Sequence, residues 1–216
     1  MVEILEQGAI SFLAAPDRDG RRSPERLWVV LAPTGSRVLR RLAVRRRRLP
    51  DPARGQRFFA HLDRVAATAA HLTEDLRDGR PRGRLVARVA AVGRYALARH
   101  GDHVHLSWAL ARACGRGPLA SSMGIAASGA WVVCVFSRSL PPGRNVAAAT
   151  PLAAATPDAL DVLGAEVALV AGSRPRDGAL GIAAPAADRV GDALAGALLR
   201  RWPSRPRRRW LRVAPA

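Results

Sequence analysis

The chain has 216 residues, of which 49% are hydrophobic, so it can form a hydrophobic core, and this excludes global disorder. Its two cysteines are too few for a disulfide scaffold. Its formal net charge is +18 and all 35 basic residues are arginine, which excludes a Walker A phosphate loop because that motif needs a lysine.

The first residues are acidic, and no apolar run approaches the ~18 residues of a membrane-spanning helix. We therefore predict a cytoplasmic protein without a signal peptide. The predicted fold is α+β, with a mostly antiparallel sheet of six to seven strands and two main helices. We expect residues 1–184 to form a single domain, residues 185–201 a helix packed on it, and residues 202–216 a basic, flexible tail.

The first part of the chain is predicted to contain three strands and one long helix. Strands are expected at residues 8–15, 27–31 and 37–44, and the third would continue through residues 45–48. The helix is predicted at residues 56–78, with His61 and His71 toward solvent. Six apolar residues there recur at spacings of four and three: Phe58, Leu62, Val65, Ala69, Leu72 and Leu76.

The remaining elements are predicted to be mainly strands. We expect strands at residues 85–92, 130–136 and 165–170, a hairpin at 93–110 and a helix at 186–201. Cys114 and Cys134 are expected to pack as small apolar residues in or near the core.

Three of the five histidines lie in the predicted hairpin. Gly101 and Asp102 fit a two-residue type II′ turn, because glycine accepts a positive φ at the first central position. With that turn, His100 lies opposite His103. Side chains alternate along each strand, so His100, His103 and His105 would project from one face, and the other face would be buried.

This arrangement suits a divalent transition metal. Opposed and alternate positions on a hairpin can converge on one ion, and imidazole is a common ligand of such metals. The candidate ligands are His100, Asp102, His103 and His105, with Glu166 the one further acidic candidate. Three alternatives remain open: a structural or solvated hairpin, a general base beside a substrate phosphate, and contact with an anion or nucleic acid.

Two segments hold most of the positive charge. Residues 37–57 contain nine arginines and one aspartate, and residues 200–212 contain seven arginines and no acid. Arginine neutralises phosphates and tryptophan stacks on bases, so we expect nucleic-acid contacts at these positions. The candidates are Arg45, Arg46, Arg47, Arg48, Trp202, Arg205, Arg207, Arg208, Arg209 and Trp210.

The function that the sequence favours is therefore binding of nucleic acid or another polyanion without strong sequence preference. The first alternative is a metal-dependent hydrolase that uses the histidine hairpin. The second is an interaction protein that docks its basic segments on an acidic partner.

The hairpin also resembles that of a family of uncharacterised bacterial proteins, which carry the pattern Gly-X-Tyr-Ala-Leu-X-Arg-His-X-Asp-His-X-His-Leu. The matching residues are Gly93, Tyr95, Ala96, Leu97, Arg99, His100, Asp102, His103, His105 and Leu106. Weaker likeness extends over most of residues 6–171. The resemblance implies one compact domain over that span and implies no activity.

Overall fold

The computed structural model describes residues 2–16, 24–51, 56–76, 87–111, 118–136 and 153–171. The predicted helix at 185–201 and the predicted tail at 202–216 lie outside these ranges. The described residues form nine strands: β1 (Val2–Pro16), β2 (Pro24–Pro33), β3 (Leu39–Val44), β4 (Arg57–Ala66), β5 (Arg88–His100), β6 (His103–Leu110), β7 (Ser128–Phe136), β8 (Ala153–Ala154) and β9 (Glu166–Ala171). The same ranges contain two short helices, α1 (Ala69–Leu72) and α2 (Pro118–Ser122), and 3-10 turns at Glu74–Leu76 and Asp158–Asp161.

Eight strands form one closed antiparallel barrel. Hydrogen-bonded neighbours follow the order β6, β5, β1, β2, β3, β4, β9, β7, and β7 pairs again with β6 to close the ring. The predicted α+β fold with six to seven strands and two main helices is therefore wrong. The helices in the described part of the chain have only four and five residues. Ring closure depends on strands far apart in sequence, such as β4 and β9, and local patterns do not encode such partners.

The helix predicted at residues 56–78 is wrong, because β4, α1 and a 3-10 turn lie within residues 57–76. Asp63 is an extra residue on β4, opposite the step between Arg41 and Leu42. Such a bulge shifts the alternation of side chains by one residue. Three strand residues whose spacing matches one face of a helix therefore all face the barrel interior: Phe58, Leu62 and Val65. The same spacing would give one apolar face on a helix, so the pattern fits both structures.

The barrel interior holds the main core. The rings of Phe12, Trp108 and Trp131 pack against one another there, with centroid distances from 4.3 to 6.4 Å. A second, smaller core lies on the outer surface. Leu72 of α1 and the following Leu76 cover outward side chains of β1 and β2: Ala9, Leu13, Trp28, Val30 and Ala32.

Arg41, on the outer face of β3, is buried beneath the segment of α1. Its guanidinium donates to both carboxylate oxygens of Asp63, to both of Asp75 and to the carbonyl of Leu72, at 2.7 to 2.9 Å. Burial alone would lower the pKa of Arg41, but the bonds to Asp75 and Asp63 raise it above its ordinary value. This arginine anchors the helical segment and adds no charge to the surface.

Arg40, the neighbouring residue, points into one end of the barrel. It donates to both oxygens of Glu6 at 2.7 and 2.8 Å and to Asp161 at 2.6 Å. The Tyr95 hydroxyl donates to the same Glu6 carboxylate at 2.6 Å. Burial and the negative charge of Glu6 raise the pKa of Tyr95 far above its ordinary value. Two of the nine arginines in the basic segment at 37–57 are therefore neutralised in the protein.

The hairpin predicted at residues 93–110 is confirmed as β5 and β6. Gly101 has a φ of +63°, and His100 pairs with His103 across the turn. The face predicted to be buried is inside the barrel, where Tyr95, Leu97, Val104, Leu106 and Trp108 belong to the main core. The hairpin therefore presents its other face to the outside.

Candidate metal centre

The three hairpin histidines form a cluster on the outer surface of the barrel. His100 and His103 pair directly, and His105 pairs with Ala98 beside them. The ring centroids are 5.6 Å apart for His100 and His103, 6.2 Å for His100 and His105, and 4.7 Å for His103 and His105. One ring nitrogen from each residue lies within 4.8 Å of the other two.

This spacing is close to that of a three-histidine metal site. A tetrahedral ion with bonds of about 2.0–2.1 Å needs its ligand nitrogens about 3.3 Å apart. Each pair of nitrogens must therefore approach by about 1.5 Å at most. Modest rotation of exposed and half-buried imidazoles provides such a movement, since His100 is exposed and the other two are half-buried.

Asp102 lies at the tip of the hairpin and bonds to His103 rather than joining the cluster. Its Oδ1 is 2.9 Å from Nδ1 of His103, and this hydrogen bond lowers the pKa of the Asp102 carboxyl. A proton on Nδ1 leaves the lone pair of Nε2 free for a metal, which is how carboxylates orient metal-bound histidines.

His105 is held toward its neutral form. Burial lowers its pKa, and the charges that His103 and His100 carry when protonated lower it further. Only the neutral imidazole binds a metal ion. The environment of His105 therefore favours the state that a metal needs.

The surroundings of the cluster on the outer surface are mostly apolar. Val2 of β1 pairs with His100, and Val132 of β7 pairs with His105. Ile4 of β1, which pairs with Ala98 of β5, is 47% exposed. A divalent ion at the cluster would thus lie on an apolar surface that is open to solvent on one side.

Cys134 shares the outer face of β7 with Val132. Its thiol is free and half-buried, and burial raises its pKa. Cys114 lies outside the described residues. The position of Cys134 on this face was missed in the sequence because residues 130–136 are almost uniformly apolar, which hides the alternation between the two faces.

Glu166, the further acidic candidate, lies elsewhere on the barrel. It begins β9, pairs with His61 of β4 and accepts a hydrogen bond from Arg45. It does not belong to the group of His100, His103 and His105. His61 is half-buried on β4, and His71 is exposed on α1.

The arginines at 45–48 form bends after β3 and do not continue the strand as predicted. All four are exposed. Arg45 pairs with Glu166, and Arg48 lies 4.0 Å from Asp51. Within the described ranges, Arg46 and Arg47 have no carboxylate partner. The other basic candidates lie outside those ranges: Trp202, Arg205, Arg207, Arg208, Arg209 and Trp210.

No helix in the described ranges has the length and apolar character needed to cross a membrane. No protein-family model, curated protein or solved structure matches the chain.

Proposed function

We propose that this protein binds a divalent transition metal ion through His100, His103 and His105. The observation that supports the proposal is the approach of three ring nitrogens to within 4.8 Å on one exposed face. Imidazole ligands suit Zn²⁺, Cu²⁺, Ni²⁺ and Fe²⁺ and disfavour Mg²⁺ and Ca²⁺, which prefer oxygen ligands.

Three protein ligands leave the fourth position of a tetrahedral ion open, as in catalytic rather than structural zinc sites. A bound ion would polarise a water molecule there and lower its pKa. Metal-dependent hydrolysis is therefore the enzyme activity that such a centre would support. Asp102 would orient His103 in it, since its carboxylate already accepts a hydrogen bond from that ring.

Metal titration of the purified, demetallated protein tests the proposal. We expect one Zn²⁺ per chain by calorimetry, and loss of that binding in His103→Ala and in His105→Ala. His71→Ala is the matched control, because His71 is an exposed histidine on α1 outside the cluster. Absence of stoichiometric binding, or equal binding by all variants, would contradict the proposal.

A second candidate function is binding of nucleic acid or another polyanion through the bend at 45–48. The observation that favours it is the exposure of Arg46 and Arg47 without a carboxylate partner in the described part of the chain. Such contacts would reach phosphates rather than bases, so sequence preference would be weak. Docking of the same arginines on an acidic protein is the remaining alternative.

The salt dependence of binding to duplex DNA tests this second function. Each phosphate contact contributes about −0.9 to the slope of log K against log salt. The double variant Arg46→Ala, Arg47→Ala should therefore reduce the slope by about two. The control is Arg26→Ala, which removes an exposed arginine outside residues 37–57. Deleting the residues after Trp202 should reduce the slope further. An unchanged slope both in the Arg46→Ala, Arg47→Ala variant and in the deletion variant would exclude phosphate binding by these two segments.

Two further proposals, on relatedness and on location, rest on the sequence alone. We propose that the chain is related to the uncharacterised bacterial proteins that share its hairpin pattern. We also propose a cytoplasmic location for the protein.

A further inference from the structure

We infer that the open position of the histidine cluster takes an oxyanion, the carboxylate or phosphate group of a small molecule. The inference rests on the proposed metal centre and names the class of ligand that this centre would bind.

The ligand set carries no negative charge. In the described part of the chain, no carboxylate joins the three imidazoles within 4.8 Å. Asp102 is bonded to His103, and Glu3, near the same end of β5, is 3.0 Å from Arg99. A divalent ion bound by three neutral imidazoles keeps its full double charge, which an anionic fourth ligand would partly neutralise.

The surroundings of the cluster increase this preference. The side chains that pair beside it on the neighbouring strands are uncharged: Val2, Ala98 and Val132. These neighbours bring no negative charge that would repel an anion from the ion. The whole chain has a formal net charge of +18, which raises the concentration of small anions near its surface.

The open position faces solvent. The cluster stands on the outer face of the hairpin, so the sheet occupies one side of it, and His100 is exposed on the other. A small anion can reach an ion there without a change in the barrel. The thiol of Cys134 is the alternative fourth ligand, since it shares the outer face of β7 with Val132, but it does not join the three imidazoles within 4.8 Å.

Cobalt substitution distinguishes these ligands, because the visible bands of Co²⁺ report its coordination. The full chain loaded with Co²⁺ would be titrated with sodium acetate and, separately, with inorganic phosphate at constant ionic strength. We expect a saturable shift of the visible bands with at least one anion, and comparison of the two separates carboxylate from phosphate. His103→Ala should show neither the bands nor the shift.

Three results would overturn the inference. If neither anion changes the visible bands, the metal centre stands but does not bind an oxyanion. A near-ultraviolet thiolate-to-cobalt band that is lost in Cys134→Ser would assign the fourth position to Cys134. Absence of any cobalt bands would instead remove the proposed metal centre, and the oxyanion site with it.

Discussion

The carboxylate of Asp102 holds the ring of His103, with Oδ1 and Nδ1 2.9 Å apart at the tip of the β5–β6 hairpin. This bond favours the tautomer in which Nε2 is free, as a metal ligand requires. Asp102→Asn preserves the size of the residue at the turn and removes its charge. We expect the affinity for Zn²⁺ to fall about tenfold, the lower end of the range for partners of metal-bound histidines, because Asp102 is exposed.

Competition with a chromophoric chelator measures this affinity. Asp158→Asn is the control, since Asp158 is an exposed aspartate in the 3-10 turn before β9. Equal affinities of Asp102→Asn and the unmodified protein would mean that the carboxylate does not orient His103 for a metal.

The stability of the metal-free protein should depend on His105 at mildly acidic pH. Burial, followed by the charges of His103 and His100, lowers the pKa of His105 in the folded state below its ordinary value of 6.5. The unfolded chain then takes up this proton first, so stability is full above about pH 6.5 and is lost as the pH falls toward the folded pKa. Thermal unfolding of His105→Gln should show a smaller decrease in Tm between neutral pH and about pH 5 than the unmodified protein. An equal or larger decrease would contradict the assignment.

Arg41 should be among the most sensitive positions for stability. Its side chain is 1% exposed and donates to Asp63, Asp75 and the carbonyl of Leu72. Arg41→Ala removes the donor to the buried carbonyl of Leu72 and the main donor to Asp63. We expect the free energy of unfolding to fall by about 3 kcal/mol, the lower end for a broken buried ion pair, because Asp75 is 44% exposed. Chemical denaturation measures this loss.

Arg46→Ala is the control, with an expected effect within about 0.5 kcal/mol because the residue is exposed. Arg41→Lys keeps the charge and loses the planar fork, so its stability should lie between those of Arg41→Ala and the unmodified protein. If Arg41→Ala is as stable as Arg46→Ala, the bonds from Arg41 to Asp63, Asp75 and Leu72 do not anchor α1.

Gly101 should link the turn to the metal centre. Its φ is +63°, and a Cβ there would meet no atom within 4 Å, so only backbone strain opposes Gly101→Ala. We expect a loss of about 1–2 kcal/mol in unfolding free energy and weaker Zn²⁺ binding, because the turn sets the pairing of His100 with His103.

Gly35→Ala provides the comparison, since Gly35 has a φ of +77° and equally open space. It should lose similar stability and keep its metal affinity. If both variants bind Zn²⁺ as tightly as the unmodified protein, the geometry of the turn does not determine the site.

The sequence alone determined the histidine hairpin. A two-residue turn, alternating apolar residues and a glycine at the turn define β5 and β6 through neighbours only a few residues apart. The shared face of His100, His103 and His105 follows from the period of two along a strand, because local pairing sets the register.

The tertiary structure decided the rest. Apolar spacing at residues 58–65 fits a helix and a bulged strand equally well, and pairing of β4 with β3 and β9 selects the strand. Likewise, Arg40 and Arg41 belong by sequence to a basic segment, yet each is buried against carboxylates that are distant along the chain, as in the bonds to Glu6 and Asp75. Partners of this kind come together only when the barrel closes, so local composition cannot reveal them.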